Sequence, residues 1–321
     1  MKKILGMVLL LVFLCVAIYL VNPRFAMPVN LQNLTRQIAL LAIFAIGEGI
    51  VILSGGIDLS VGSVIAFTGL LVAYLVTTMG VSPGLACALV MALSAVIGLV
   101  HGALVTKLKL QPFIVTLCTM LIFRGLARTL TQDDTRGFGN QYAGFRSLGE
   151  GSLAGIPWPV IILVVVAAVA HFFMRYTVYG RYLYAIGRNA NAARYSGIKV
   201  DRMQTASYLV CAILSGLSGI LYATYTNSVQ PATTGQAYEL YAIAAAVLGG
   251  CSLRGGEGTV LGIIIGASIM RVMYNGIILV GISTFWEFAV IGTVILIGVV
   301  ADASIKQRAA TRTIKHGPSG S

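Results

Sequence analysis

Apolar residues run along this chain in blocks of about twenty, separated by short polar breaks. A helix needs roughly 20 apolar residues to cross a hydrocarbon core of about 30 Å. Blocks of that kind cover about 4–21, 35–54, 59–79, 83–106, 112–130, 158–175, 204–226, 238–251, 257–280 and 284–303. The eighth is short, as a re-entrant or buried segment would be. Nowhere do apolar and polar residues alternate as barrel strands require, so helices are left to satisfy the backbone in lipid. The pattern predicts an all-α polytopic membrane protein of about ten transmembrane helices. It forms a single domain over 1–303, with a long polar loop at 176–203 and a basic, disordered tail at 304–321.

Composition agrees. The chain has 321 residues, 58% of them hydrophobic and 10% charged, with a mean hydropathy of +0.91. A soluble domain is usually about 25% charged. The net charge of +12 would suggest nucleic acid in a soluble protein. Here the distribution gives the reason for it. Threading ten segments with the N-terminus inside puts fifteen of the 22 Lys and Arg residues into cytoplasmic pieces. Both termini are therefore expected to be cytoplasmic. Lys2 and Lys3 before an apolar stretch resemble a signal peptide, but no small-residue cleavage site precedes Pro23, so a retained first helix is expected. Cys15, Cys87, Cys118, Cys211 and Cys251 are scattered without CxxC spacing and read as packing residues, not metal ligands.

The chain matches itself at an offset of 200. Leu40, Gly49, Leu53, Gly55, Gly56, Gly62 and Ile65 match Leu240, Gly249, Leu253, Gly255, Gly256, Gly262 and Ile265. Duplicated halves are common in transporters. The competing explanation is that Ala, Ile, Leu and Gly dominate both stretches.

Residues 53–63, LSGGIDLSVGS, interrupt two apolar runs. Gly55 and Gly56 can end a helix. Asp58, with Ser60 two residues on, reads as the cap and first turn of the next helix. The functional alternative is a broken helix lining a substrate path. Glu48 falls mid-helix, where a carboxylate is costly and suggests function. It is otherwise a protonated buried acid, or is paired with Arg124 or Arg128. Those two arginines share a helix face and are expected to snorkel to the outer interface. Arg271 and Asn275 also share a face. His101 reads as a packed, hydrogen-bonded side chain.

In the 176–203 loop, Gly187 is expected to break the chain. Asn189 or Asn191 would cap a short helix ending at Ser196, and Gly197 would supply the left-handed residue after it. A capped, amphipathic helix in a long internal loop is a docking element.

The chain resembles the ribose/galactoside-type permeases of bacterial ABC importers. The matching stretches are Leu53–Ser63, Gln111–Thr116 (QPFIVT), Gly180–Ile198, Gln230–Leu240 and Ala242–Gly256 (AIAAAVLGGCSLRGG), in the expected order over nearly the whole chain. The resemblance implies a translocation path for a small polar solute, most simply a monosaccharide, in the bacterial inner membrane. The implied partners are a second permease copy or paralogue, a periplasmic solute-binding protein and a cytoplasmic ATP-binding subunit with tandem domains. ATP and Mg would be bound by that subunit: no GxxxxGK[ST] loop occurs in this sequence. No cofactor, metal, nucleic-acid partner or enzymatic step is expected for the chain itself. Coupling to the ATPase is implied for Arg181, Gly187, Arg188, Asn189, Asn191, Ala192, Ala193, Ser196 and Gly197, with Ala193→Arg expected to uncouple. Pathway candidates are Glu48, Gly55, Gly56, Asp58, Ser60, Tyr241 and Asn275. Tyr241 stands where the family usually has Asp, Glu48 where Met or Gln is common, and Arg254 where a small or apolar residue is usual. The rivals are a permease for branched-chain amino acids or nucleosides, and an ion-coupled secondary transporter.

Overall fold

Proline sets several of the helix starts. Pro28, Pro83 and Pro112 each stand in a first helical turn, where the missing N–H costs nothing and the fixed φ suits the helix. The computed structural model describes residues 2–283 together with positions 286, 289, 292, 293, 296 and 300. The tenth apolar block and the tail 304–321 thus lie essentially outside the described residues.

The described chain is all-helical apart from one two-residue hairpin. Its helices are α1 (Lys2–Val21), α2 (Pro28–Leu53), α3 (Val61–Thr77), α4 (Pro83–Thr106), α5 (Pro112–Thr131), α6 (Ala143–Glu150), α7 (Trp158–Tyr176), α8 (Val178–Arg188), α9 (Ala190–Tyr195), α10 (Val200–Thr226), α11 (Tyr238–Leu248) and α12 (Val260–Val280). Antiparallel β1 (Ser152–Leu153) and β2 (Ile156–Pro157) precede α7. Among the described residues, seven helices are long and apolar enough to cross a membrane.

Position in the bundle follows from how apolar residues are spread around each helix. Residues Ala39 to Leu53 of α2 are buried without a break. α2 is therefore the central post, wrapped by α7, α10, α11 and α12. α1 is apolar all round yet exposed, with Ile18 its buried residue against the α12 side. Such a surface needs lipid.

α11 has 11 residues and spans about 16 Å at 1.5 Å per residue, half of a hydrocarbon core. The short eighth block is thus a half-helix, preceded by a loop that runs into the bundle. Arg124 of α5 holds that loop by donating to the carbonyls of Pro231 (2.9 Å) and Thr234 (2.6 Å). The Gly235 and Gly62 backbones are in direct contact. This corrects the expectation that Arg124 snorkels outward. Arg128 is exposed, its Nη2 lying 2.8 Å from Asp133 Oδ2.

The turns sort into two ends. At one, Lys109 Nζ lies 3.3 Å and Arg194 Nη2 2.8 Å from Asp201 Oδ1, and Gln204 Nε2 donates to the Ser54 carbonyl. At the other, Arg36 Nη2 donates to the Glu150 carbonyl, Tyr142 Oη to that of Val76, and Arg136 pairs with Val229.

Candidate functional site

Two features meet at the first of these ends: the break between α2 and α3, and the paired helices α8 and α9. α2 stops at Leu53, and Gly55 turns the chain at φ +84°. The chain then climbs back into the bundle, where the Asp58 N–H donates to Glu48 Oε1 at 3.2 Å. Asp58 does not cap α3, whose N-cap is Ser60. Asp58 Oδ1 instead accepts from the Ser60 N–H (2.9 Å) and hydroxyl (2.6 Å), closing a turn just ahead of the helix. Its Oδ2 lies 3.6 Å from His101 Nδ1 of α4, beyond hydrogen-bond reach, so the histidine is packed but lacks the hydrogen bond expected of it among the described residues. The His101 ring meets Tyr208 of α10 edge-on at 6.3 Å.

Glu48 and Asp58 are both buried, and Glu48 contacts neither arginine proposed for it. Cys211 Sγ lies 3.9 Å from its Oε2. Glu48, Asp58 and Ser60 therefore form one buried knot tying the re-entrant turn to α4 and α10, with half-buried Gly56 lying close against the Tyr208 hydroxyl. Tyr241 is buried apart from them beneath the Arg271 guanidinium, 5.8 Å from its ring. Asn275 exchanges two amide hydrogen bonds with Asn30 of α2, at 2.9 and 3.2 Å. That pair fastens α12 to α2, so Asn275 is engaged in packing. Arg254 sits exposed on the loop before α12.

Across the turn lies α8. Thr177 caps it, accepting from the Gly180 N–H. Gly180, Leu183 and Ile186 form its buried face, while Arg181 and Arg188 are exposed, the Arg188 stem lying against Gly256. Gly187 does not break the chain as the sequence suggested: it is helical, one residue from the end of α8. Its role is close approach. A Cβ there would overlap the Leu53 carbonyl oxygen and the Gly256 nitrogen. Those two atoms are themselves joined, since the Gly256 N–H donates to the Leu53 carbonyl at 3.0 Å. The Tyr184 hydroxyl adds a bond to the Gly258 carbonyl at 2.8 Å, and burial pushes its phenol pKa up.

α9 forms as read. Asn189, not Asn191, is the cap: its Oδ1 accepts from the Ala192 N–H at 3.0 Å. Gly197 follows at φ +83°. Asn191, Ala192, Ser196 and Gly197 are exposed, but Ala193 is 5% exposed and packs on Ile186 and Val200. An arginine at 193 would lift α9 off its seat, not merely block its outer face. The residue overlooked in the sequence is Tyr195, 93% exposed at the tip. An aromatic ring wholly in solvent at the end of a capped helix is the signal that would have found it.

Residues 30–299 match the family model described as branched-chain amino acid transport system / permease component. The chain is 44% identical over 299 residues to the ribose import permease protein RbsC of Bacillus subtilis, covering 93% of this chain and 92% of that one. The Escherichia coli K12 protein of the same name is 41% identical over 283 residues, 88% of each chain. The D-allose transport system permease protein AlsC of Escherichia coli K12 is 33% identical over 280 residues, 87% of this chain and 84% of its own. No solved structure matches. With the family model spanning most of its length and relatives aligned nearly end to end, the chain belongs to the family of bacterial transport-system permease components, alongside the ribose import permeases.

Proposed function

We propose that this chain is the membrane-spanning subunit of an ATP-driven sugar importer and forms the translocation path for a monosaccharide. One observation carries this reading: the alignment with a ribose import permease over 93% of this chain and 92% of the relative. Ten transmembrane helices with both termini in the cytoplasm are part of the proposal. In that threading Ser54, Lys109, Gly187, Arg194, Asp201 and Gly256 all fall on the cytoplasmic side, and the contacts among them support it.

The cytoplasmic face of α8 and α9 is the ATPase-docking surface. Arg181, Arg188, Asn191, Ala192, Tyr195, Ser196 and Gly197 present it, Asn189 shapes it, and Gly187 and Ala193 seat it on the bundle. Binding of ATP by a tandem-domain partner would move α8 and α9. Through Gly187 that motion reaches the α2–α3 turn and the loop before α12 together. A periplasmic binding protein supplies the sugar, and a second permease copy or paralogue completes the path in the bacterial inner membrane.

The test is co-purification in mild detergent from the native host, followed by uptake in proteoliposomes. An ATPase and a solute-binding protein should co-elute, and uptake of labelled monosaccharide should require internal ATP. Uptake driven by an ion gradient without ATP would sink the reading, as would an ATP-driven preference for branched-chain amino acids over sugars.

A further inference from the structure

Above the buried knot, toward the end opposite α8 and α9, a cavity of about 210 Å³ opens between α2, α3, α10, α11 and α12. Its polar lining includes Gln37, Ser218, Tyr222, Thr226, Arg271 and Tyr274, and Leu40, Phe44 and Ile65 form its floor. Pockets for drug-sized ligands run to roughly 300–1,000 Å³, so this one suits a smaller solute.

The lining has two chemistries. Phe44 and Tyr238 stack at 5.6 Å with 4° between their planes, and Tyr222 meets Tyr238 edge-on at 5.9 Å. These rings offer flat apolar walls with hydroxyls at their rims. Arg271, held over the Tyr241 ring, adds a planar fork of donors.

Two polar atoms of this lining are buried and lack a hydrogen-bond partner among the described residues: Ser218 Oγ and Arg271 Nε. Ser218 is 2% exposed. A buried group left unpaired costs about 1–3 kcal/mol, so each calls for a partner brought from outside.

We propose that this cavity, within a single permease chain, is a binding site for a neutral monosaccharide on its way across the membrane. A sugar ring presents C–H faces to aromatic walls and hydroxyls at its edge. Those hydroxyls both donate and accept, so one can take the Arg271 N–H and another can meet the Ser218 hydroxyl. The lining holds a guanidinium but no carboxylate. An amino acid's ammonium would find no ion-pair partner there, and the leucine competition below tests whether that excludes it. The floor at Phe44 closes the cavity one helical turn above Glu48. The site thus faces the side from which a binding protein would release its cargo.

This inference rests on the importer reading, and the experiment keeps the two apart. The complex with its ATPase is placed in lipid nanodiscs without nucleotide or binding protein. It is titrated with labelled D-ribose, D-allose and L-arabinose, with L-leucine and ribose 5-phosphate as competitors. In parallel, ATP-driven uptake of the same sugars is measured in proteoliposomes with all partners present. Saturable binding of an imported sugar is expected, displaced by that sugar and not by leucine or by the phosphorylated sugar. Ser218→Ala should weaken it about three- to tenfold, the worth of one hydrogen bond. Arg271→Gln should weaken it at least as much, read on complexes that still elute with their ATPase. Ser218→Ala removes a hydroxyl without a partner among the described residues, so a folding defect does not obscure it. If the wild type imports a sugar yet binds none without the binding protein, or if both variants bind as the wild type does, the cavity proposal alone is overturned. Displacement by ribose 5-phosphate overturns the neutral-sugar assignment. If the wild type neither imports nor binds any of the three, the monosaccharide reading of the importer fails and this proposal with it.

Discussion

The bundle is interrupted twice by turns of closely related sequence, and the two interruptions are used differently. Gly55, after α2, and Gly255, before α12, adopt nearly the same backbone, φ +84° and +83°. They lie 200 residues apart, the offset at which the sequence matches itself. α3 and α12 then begin at Val61 and Val260, within one residue of that offset. Both turns come to the same place, beside Gly187 of α8. The first, however, follows a 26-residue helix and encloses Glu48, Asp58 and Ser60 in a buried knot. The second follows an 11-residue half-helix and exposes Arg254 and Glu257. The shared first glycine fits a duplication, but the second differs, Gly256 being left-handed at φ +71° and Gly56 not, and the side chains around the turns have separated into a sealed copy and an open one. A common glycine hinge does not dictate what is built on it.

The strongest way to break this arrangement is to wedge the point where the copies meet. Gly187→Val would drive a side chain into the Leu53 carbonyl and the Gly256 amide, and overpacking of that kind costs roughly 1–3 kcal/mol or more. Both turns should shift, ATP-driven uptake should be lost, and the thermal midpoint of the solubilised protein should fall. Normal uptake would show that the seat of α8 does not link the two turns.

A smaller effect separates the sealed copy from the open one. Asp58→Ala removes the acceptor of two Ser60 bonds and the charge facing His101. The groups left unpaired cost about 1–3 kcal/mol. Arg254→Ala, exposed at the corresponding loop, should stay within about 0.5 kcal/mol. Chemical denaturation of the two variants in one detergent measures the difference, and equal effects would erase the distinction.

The finest comparison is between the glycines themselves. Each requires a left-handed backbone, which costs an alanine roughly 1–2 kcal/mol. At Gly55 a Cβ meets no atom within 4 Å, whereas at Gly255 it meets the Gly187 carbonyl oxygen at 2.9 Å and the Gly55 nitrogen at 3.1 Å. Gly55→Ala should therefore show the backbone cost alone, and Gly255→Ala that cost plus crowding. Circular dichroism melts of the pair report the gap, and no gap would mean the α8 contact yields freely.

What was legible in the sequence follows from this geometry. Helices α4, α5 and α7 lie within a residue or so of the apolar blocks at 83–106, 112–130 and 158–175, because apolar length and N-terminal proline are local signals. α2 begins seven residues ahead of the apolar block at 35–54. Asn30, Gln32, Asn33 and Arg36 look like a loop, yet Asn275 and the Glu150 carbonyl bind two of these side chains from distant elements. α6 and α8 escaped a search for long apolar blocks, being short and amphipathic. The capped helix α9 and its terminal Gly197 were readable because caps are local. The part of Gly187 was not, since its neighbours stand far away in the chain. The cavity was missed for the same reason: its lining is drawn from five helices, and no short motif contains it.

The grip of Arg124 on the Pro231 and Thr234 carbonyls has a consequence for how the protein is made. An arginine near the middle of an inserting helix costs about 2.5–3.5 kcal/mol, and its partners here lie 107 and 110 residues further along. At roughly 5–20 residues per second, the ribosome needs about 5–20 s to deliver them. During that interval α5 must stay at the exit of the insertion machinery or shelter its guanidinium against helices already released. The loop ahead of the half-helix α11 is then the piece whose arrival lets the growing bundle close.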